Sequence, residues 1–254
     1  MPLLGTLGTA SAKSFGFTAV SAVVPNAPTS ITATNVLLPT PTLTTTYDIP
    51  YGSNFLQKVD LVVPSTILIK GVIVYIHGGG WTSGSKSASG YNNTQAAYTN
   101  NDEAQVDIVA QSGYIVVNCN YRLVGISIDY GSDGTGGYPN SITDIQTILN
   151  YCMVSGAGAA QSSYWTTIYN YVQTYGLMVA GYSAGGHLAF MGAGNYGTSS
   201  GNWPRAVCSI SGPMDLVFNG AENQFDSFQQ ALVNAFAVPS DPTGSTYNLS
   251  LIHI

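Results

Sequence analysis

Charged residues are scarce in this chain of 254 amino acids, at 7% of the total, whereas soluble domains typically contain roughly 25%. Six lysines and arginines stand against twelve aspartates and glutamates, which gives a net charge of −6. The chain therefore lacks a basic stripe that could neutralise phosphates or anionic lipids, and nucleic acid is not an expected partner. The polar surface must come from Ser, Thr, Asn, Gln and Tyr, a composition common outside cells, so we expect an extracellular location.

Long apolar runs and cysteine motifs are also lacking. Because no stretch reaches the roughly 20 apolar residues of a membrane span, the sequence does not predict an integral membrane protein. The three cysteines, Cys119, Cys152 and Cys208, form no C-x-x-C pair and predict neither a zinc site nor a redox motif. We interpret them as small buried apolar residues, with a Cys119–Cys208 disulfide left open. No motif indicates a metal or an organic cofactor.

The chain divides into three parts by composition. Residues 1–41 are rich in Gly, Ala, Ser, Thr and Pro and have no sustained periodicity, which predicts a flexible leader or linker. Residues 42–248 are long enough and apolar enough for one domain with a sizeable core. Residues 249–254 are either the start of a further strand or a non-native tail. The first 17 residues resemble leaders of phage tail-type structural proteins.

The apolar pattern predicts an α/β protein. Two alternating stretches suit an antiparallel sheet edge, residues 45–49 and 57–63. Four short apolar runs are typical of strands buried on both faces of a parallel sheet: residues 71–76, 114–119, 177–180 and 206–210. Helical patterns cover residues 102–111, 141–153, 164–175, 184–193 and 223–236, and the second begins with Ser141 and Asp144 in the arrangement of an N-terminal cap. The alternation predicts a doubly wound, mostly parallel sheet.

One motif predicts a nucleophilic serine. Gly181-Tyr182-Ser183-Ala184-Gly185 follows a predicted strand and opens a predicted helix. A serine on such a tight strand-to-helix turn requires a glycine two residues before it and two residues after it, because side chains there would collide with the backbone. The bare G-x-S-x-G pattern is weak on its own. Its place between a strand and a helix, about a hundred residues after a second motif, favours a nucleophile elbow.

The second motif is His77-Gly78-Gly79-Gly80-Trp81, at the carboxyl end of the predicted strand 71–76. Three glycines let backbone N–H groups approach a ligand closely. In acyl transfer such groups must lie about 3 Å from the developing oxyanion. A glycine-rich loop can also bind phosphate, but no Lys-Ser or Lys-Thr follows in P-loop register, so nucleotide binding is the poorer interpretation.

Taken with Asn120-Tyr121-Arg122-Leu123 and Ser211-Gly212-Pro213-Met214-Asp215-Leu216, these motifs resemble carboxylesterases near the hormone-sensitive-lipase group. Residues 51–61 resemble the opening strands of its bacterial acetyl- and feruloyl-esterase-like (BD-FAE-like) branch. The resemblance spans about residues 47–216 and implies an α/β-hydrolase fold. It also implies a structural role for His77 and a bracing role for His187, an ester-acylated Ser183, and an oxyanion hole formed by the N–H groups of Gly79, Gly80 and Ala184.

The acid and the base of a catalytic triad are not evident. In this fold the chain order is serine, acid, histidine, and the candidates after Ser183 are few. Asp215 is a weak candidate for the acid, since the resembling family places its acid one strand later. Neither His187 nor the penultimate His253 suits the base. We therefore expect the sheet to lack its last strands and the chain to be poorly active.

The leading hypothesis is a serine esterase that releases small acyl groups, acetyl or feruloyl, from a short-chain ester or an acylated carbohydrate. The alternative is a non-catalytic structural or adhesion module of the same fold, which the leader, the low charge and the missing base permit. The phage-tail resemblance of the leader implies that such a protein would be virion-associated. A peptidase of this fold ranks last, because it usually brings a further domain.

Overall fold

The structure of the protein is a computed structural model, and it describes residues 41–65, 67–86, 106–127 and 131–213. The chain divides into two units, Met1–Pro39 and Thr40–Ile254. The first unit, the predicted helix 223–236 and the residues 249–254 lie outside the described residues. The strands are β1 Leu43–Pro50, β2 Lys58–Pro64, β3 Gly71–Ile76, β4 Tyr114–Cys119, β5 Ile126–Ser127, β6 Ser132–Asp133, β7 Leu177–Tyr182 and β8 Ala206–Ile210. The helices are α1 Asn140–Met153, α2 Tyr164–Tyr175 and α3 Ala184–Ser200, and residues 106–111 are also helical.

Six strands form one mixed sheet in the order β1-β2-β4-β3-β7-β8. The pairs β3–β4, β3–β7 and β7–β8 are parallel, whereas β1–β2 and β2–β4 are antiparallel. The short strands β5 and β6 form a separate antiparallel pair. The predicted parallel centre with an antiparallel edge is therefore confirmed, and the carboxyl ends of β3 and β7 meet side by side at one end of the sheet.

Helices cover both faces of the sheet. Alternate side chains of β3, beginning at Val72, belong to the large core cluster that also holds the buried residues of α1, α2 and α3. The side chains between them, Ile73 and Tyr75, belong to a second cluster with Val106 and Ala110 of the helix on the opposite face. This separation follows from the two-residue period of a strand. It confirms the doubly wound architecture.

The predicted cap of α1 is wrong. The helix begins at Asn140 after Pro139, and no side chain caps it. Ser141 and Asp144 are both buried. The Ser141 hydroxyl donates to the carbonyl oxygen of Arg122 over 2.8 Å, and the Asp144 carboxylate binds the Arg122 side chain. These polar groups therefore join α1 to the loop after β4 instead of closing the helix end.

The open disulfide is excluded, and one cysteine is not buried. Cys119 lies on β4 and Cys208 on β8, three strand spacings or about 14 Å apart, whereas a disulfide needs Cα atoms within about 7 Å. All three cysteines are free, with Cys119 and Cys152 buried and Cys208 exposed. Cys208 is exposed because β8 is the last strand of the sheet in the described part of the chain. None of the described helices combines the length and the apolar character that crossing a membrane requires.

Candidate active site

Ser183 stands on the sharp turn between β7 and α3. Its φ of 51° and ψ of −120° lie in a region that side-chain-bearing residues rarely adopt. Such a conformation costs roughly 1–3 kcal/mol and persists only where the surroundings enforce it. Here the Ser183 N–H donates to the Ile210 carbonyl of β8 over 2.8 Å. The half-buried serine is thereby presented beyond the carboxyl end of the sheet, at the first turn of a helix.

The two glycines around the serine are required by backbone contacts. A Cβ atom on Gly181 would collide with the carbonyl of Gly185, and one on Gly185 would collide with the carbonyls of Ile76 and His77. Helix α3 can therefore start against the end of β3 only if position 185 has no side chain. This geometry gives the predicted nucleophile elbow its physical basis.

The glycine-rich loop after β3 lies directly beside the serine. A Cβ atom on Gly78 would lie 3.3 Å from the Cβ of Ser183 and 3.1 Å from the carbonyl oxygen of Tyr182. The parallel pairing of β3 with β7 explains this, since residues 76 and 181 are partners in the register. Two motifs about a hundred residues apart in sequence therefore meet at one point, as their places at the carboxyl ends of neighbouring strands require.

The loop turns back on itself immediately after Gly79. Gly79 and Gly80 have φ values of 112° and 58°, which glycine adopts without strain. The Gly79 carbonyl accepts hydrogen bonds from the N–H groups of Thr82 (3.1 Å) and Ser83 (3.0 Å). Trp81 is buried, and its carbonyl accepts a hydrogen bond from the N–H of Val124 over 2.8 Å. The loop is thus an ordered turn with contacts to its neighbours.

His77 is a buried part of this loop. Its ring stacks on Tyr121, with centroids 4.5 Å apart, and its Nδ1 lies 2.7 Å from the carbonyl oxygen of Gly78. Because a carbonyl only accepts, Nδ1 carries the proton. Burial lowers the pKa of His77 to about 4, and the bond to Gly78 acts in the opposite direction without reversing the shift. The ring is therefore neutral near pH 7 and orients the backbone of the loop.

His187 is buried one turn into α3. Its ring packs edge to face against Trp81, with centroids 5.4 Å apart, and burial lowers its pKa to about 4. The side chain is wedged between the helix and the glycine-rich loop. Because its ring is buried, His187 is placed to pack the site and not to accept a proton in contact with solvent.

The segment that follows the glycine-rich loop is anchored by a buried ion pair that the sequence did not predict. The Lys86 ammonium lies 2.6 Å from the Asp60 carboxylate on β2 and 3.0 Å from Asp48. The Lys86 N–H donates to Asn120 over 2.5 Å, and its carbonyl accepts from the Asn118 amide. Burial raises the pKa of Asp60 against the lowering effect of Lys86. The only sequence signal was a lone aspartate, Asp60, in the predicted strand 57–63.

The weak acid candidate Asp215 and the histidine His253 lie outside the described residues. Of the residues predicted for the site, the structure brings Gly78 against Ser183. Gly79 and Gly80 follow in the same turn, His77 stacks on Tyr121, and Trp81 packs against His187. Within the described ranges, no group of three His, Cys, Asp or Glu side chains could hold a metal ion.

Known proteins share this fold. An esterase of Pyrobaculum calidifontis matches at 18% identity over 84% of this chain and 62% of its own, with a TM-score of 0.54. An esterase from the bacterial hormone-sensitive lipase family matches at 16% identity over 79% of this chain and 57% of its own, with a TM-score of 0.53. At such identities the likeness establishes the α/β-hydrolase fold. The chain spans less than two thirds of the length of either esterase.

No curated protein matches the chain in sequence. A family profile does match, over residues 59–239, a range that includes the glycine-rich loop, the turn at Ser183 and every strand from β3 to β8. This range is well over half of the 254 residues. The chain therefore belongs to the BD-FAE family.

Proposed function

We propose that the protein is a serine carboxylic-ester hydrolase that works through an acyl-enzyme on Ser183. The observation that carries the proposal is the close approach of the glycine-rich loop to the elbow, where a Cβ atom on Gly78 would lie 3.3 Å from the Cβ of Ser183. A reacting carbonyl carbon at Ser183 would place its oxygen near the backbone of this loop. Membership of the BD-FAE family, and a fold shared with known esterases, support the same chemistry.

In the proposed reaction, the Ser183 hydroxyl attacks the ester carbonyl and loses its proton to a base. The oxyanion that forms accepts hydrogen bonds from the N–H groups of Gly79, Gly80 and Ala184, each worth about 2.7–4 kcal/mol of barrier. The tetrahedral intermediate collapses, and the alcohol leaves with the proton that the base returns. Water then attacks the acyl-enzyme by the same steps, which releases the acid and restores Ser183.

Each of the supporting residues has a distinct part in this proposal. Ala184 is the first residue of α3, where N–H groups have no intrahelical acceptor. Gly78 gives the loop room beside the serine, and His77 and Trp81 pack behind it. Both described histidines are buried, so the proposed base belongs to residues outside the described ranges.

The substrates we propose are esters of small acyl groups, acetyl or feruloyl, on a short-chain alcohol or a carbohydrate. The resemblance of residues 51–61 to the acetyl- and feruloyl-esterase-like branch supports this choice. Tyr182 also has a partly exposed aromatic ring at the site. The ring lies beside Gly78, because a Cβ atom at that position would be only 2.9 Å from it. An aromatic ring beside the nucleophile would suit a planar acyl group.

The test is turnover of p-nitrophenyl acetate and of a feruloyl ester by the full-length gene product, together with labelling by a fluorophosphonate. We expect the label on Ser183 by mass spectrometry, and loss of both labelling and turnover in Ser183→Ala. Ser112→Ala is the matched control, because Ser112 is exposed and far along the chain from the elbow. Equal turnover in both variants, or no labelling of Ser183, would contradict the proposal and favour a non-catalytic module.

A further inference from the structure

We propose that Ser83 is a positioning residue of the oxyanion hole, whose hydroxyl fixes the direction of the Gly80 N–H. The inference rests on the proposed function and assigns a task to a side chain that the mechanism has not used. It starts from the Gly79 carbonyl oxygen, which lies 2.9 Å from the Ser83 Oγ and 3.0 Å from the Ser83 N. One residue thus donates twice to a single oxygen of the loop.

The direction of the Gly80 N–H follows from the Gly79 carbonyl. The two groups belong to the same peptide unit, which is planar and trans, so they point in opposite directions. Holding the carbonyl on one side of the loop therefore holds the N–H on the other side. A peptide between two glycines has little steric resistance to rotation, because neither residue has a Cβ to restrict it. Its orientation must come from bonds made to it, and Ser83 supplies two of them.

Ser83 is itself held in place by close backbone contacts and by the ion pair that follows it. A Cβ atom on Gly79 would collide with the carbonyl of Ser83, so the two residues are in close backbone contact. The next residue, Gly84, packs against the Gly78 carbonyl and the His77 ring. Two residues further, Lys86 is bonded to Asp60 of β2 over 2.6 Å. The hydrogen bond from the Ser83 hydroxyl therefore ties the Gly79–Gly80 peptide to a segment that Lys86 anchors on β2.

The neighbouring residue offers a matched control. Thr82 also has a hydroxyl directed at the Gly79 carbonyl, but over 3.4 Å, at the limit of a hydrogen bond. Replacement of either side chain by alanine leaves the backbone N–H bonds of the turn in place. Ser83→Ala removes a short bond and Thr82→Ala removes a long one, so their difference reports the hydroxyl of Ser83.

Two measurements on the full-length gene product test the proposal. The first is turnover of p-nitrophenyl acetate. A hydrogen bond worth about 1 kcal/mol corresponds to roughly a fivefold effect, so we expect kcat of Ser83→Ala to fall about fivefold with KM unchanged. Thr82→Ala should keep the parental kcat, and Ser83→Thr, which retains the hydroxyl, should recover most of it.

The second measurement does not depend on activity. The ¹⁵N order parameter of the Gly80 amide should be near 0.85, the value of rigid backbone, in the parent and in Thr82→Ala, and should fall toward 0.6 in Ser83→Ala. A Gly80 amide that stays rigid in Ser83→Ala would overturn the proposal. So would a kcat equal to that of Thr82→Ala, or a rise in KM without a fall in kcat.

Ser183→Ala separates the two proposals. If it abolishes turnover while Ser83→Ala behaves like Thr82→Ala, only the role of Ser83 fails. If Ser183→Ala leaves turnover unchanged, the serine esterase proposal fails, and with it the oxyanion role of the Gly80 N–H.

Discussion

The elbow at Ser183 depends on the absence of side chains at two positions. Gly185 brings the first turn of α3 against the carbonyls of Ile76 and His77, and Gly181 faces the carbonyl of Gly185. These contacts are between backbone atoms, which cannot move aside as a flexible side chain can. The strained φ of Ser183 is therefore maintained by the way α3 packs on the end of β3.

Substitution of Gly185 should be far more damaging than substitution of a buried glycine with flexible neighbours. Gly185→Ala forces a methyl group into two carbonyls, and overpacking of this kind costs typically 1–3 kcal/mol or more. We expect a loss at the upper end of that range in urea unfolding and a loss of Ser183 labelling. Gly71→Ala is the control, since its nearest neighbour would be the mobile end of Met178 at 3.2 Å. Equal losses in the two variants would show that the carbonyl contacts do not decide the elbow.

For single residues, the sequence predicted those that belong to a local motif and missed those whose bonding partner lies far away along the chain. Gly181 and Gly185 follow from the geometry of a five-residue turn, so their spacing around Ser183 was readable. The ion pair of Lys86 with Asp60 joins residues 26 positions apart on different elements. Nothing in either local sequence names the partner. Their pairing depends on the β2–β4 register and on the path of the loop, which only the fold defines.

Among the elements, α1 shows how a tertiary contact overrides a local rule. Ser141 and Asp144 have the spacing of a cap, yet both side chains bond outward to the segment after β4. Asp144 accepts from the Arg122 N–H over 2.9 Å and from the Gln57 side chain over 2.8 Å, in addition to the Arg122 guanidinium. A carboxylate buried to this degree must have hydrogen-bond partners for both of its oxygens. Arg122 and Gln57 supply these partners, whereas the N–H groups at the helix end do not bond to it.

Removal of this carboxylate should weaken the attachment of α1 to the segment after β4. Asp144 is 1% exposed and Arg122 is 19% exposed at their side chains, with 2.6 Å between the paired atoms. Loss of one partner of a buried pair costs about 3–5 kcal/mol, and the partial exposure of Arg122 places Asp144→Ala near the lower end. The measurement is the free energy of unfolding in urea. Asp133→Ala serves as control, because its exposed carboxylate, bonded to Asn54 and Thr135, should contribute less than about 1 kcal/mol. A similar small loss in both would refute the anchoring role.

Strand prediction succeeded because short apolar runs leave little choice of element. The runs 71–76, 114–119 and 206–210 match β3, β4 and β8 in full. Helix α3 instead continues seven residues past its predicted end at 193. Residues 194–200 have weak helix propensity, but Tyr196 is buried and Gly197 packs against the Trp203 ring. Tertiary packing thus extends a helix that its own sequence would end.

At the scale of the whole molecule, the low charge leaves few groups to govern how stability varies with pH. His77 and His187 are buried and have pKa values of about 4, against an ordinary value of 6.5. Asp48 and Asp133 have pKa values below their ordinary 3.8, so they affect stability only in stronger acid. Burial raises the pKa of Asp60, which acts in the opposite sense. Between pH 6.5 and about 4, both of the histidines that the structure describes lower the stability as the pH falls.

The protein should therefore lose stability in mild acid. Below pH 6.5 the unfolded chain takes up protons on both imidazoles while the folded chain does not, so the unfolded state binds more protons and the free energy of unfolding falls as the pH falls. Each histidine contributes at most about 1.4 kcal/mol per pH unit to the slope of the free energy of unfolding. The combined slope of the two histidines should be visible in urea midpoints between about pH 7 and about pH 5. His187→Leu removes one of the two groups and should reduce the slope by about half, whatever its effect on stability at neutral pH. An unchanged slope in His187→Leu would mean that the His187 imidazole is protonated in the folded protein, and the bracing role that burial gives it beside Trp81 would have to be abandoned.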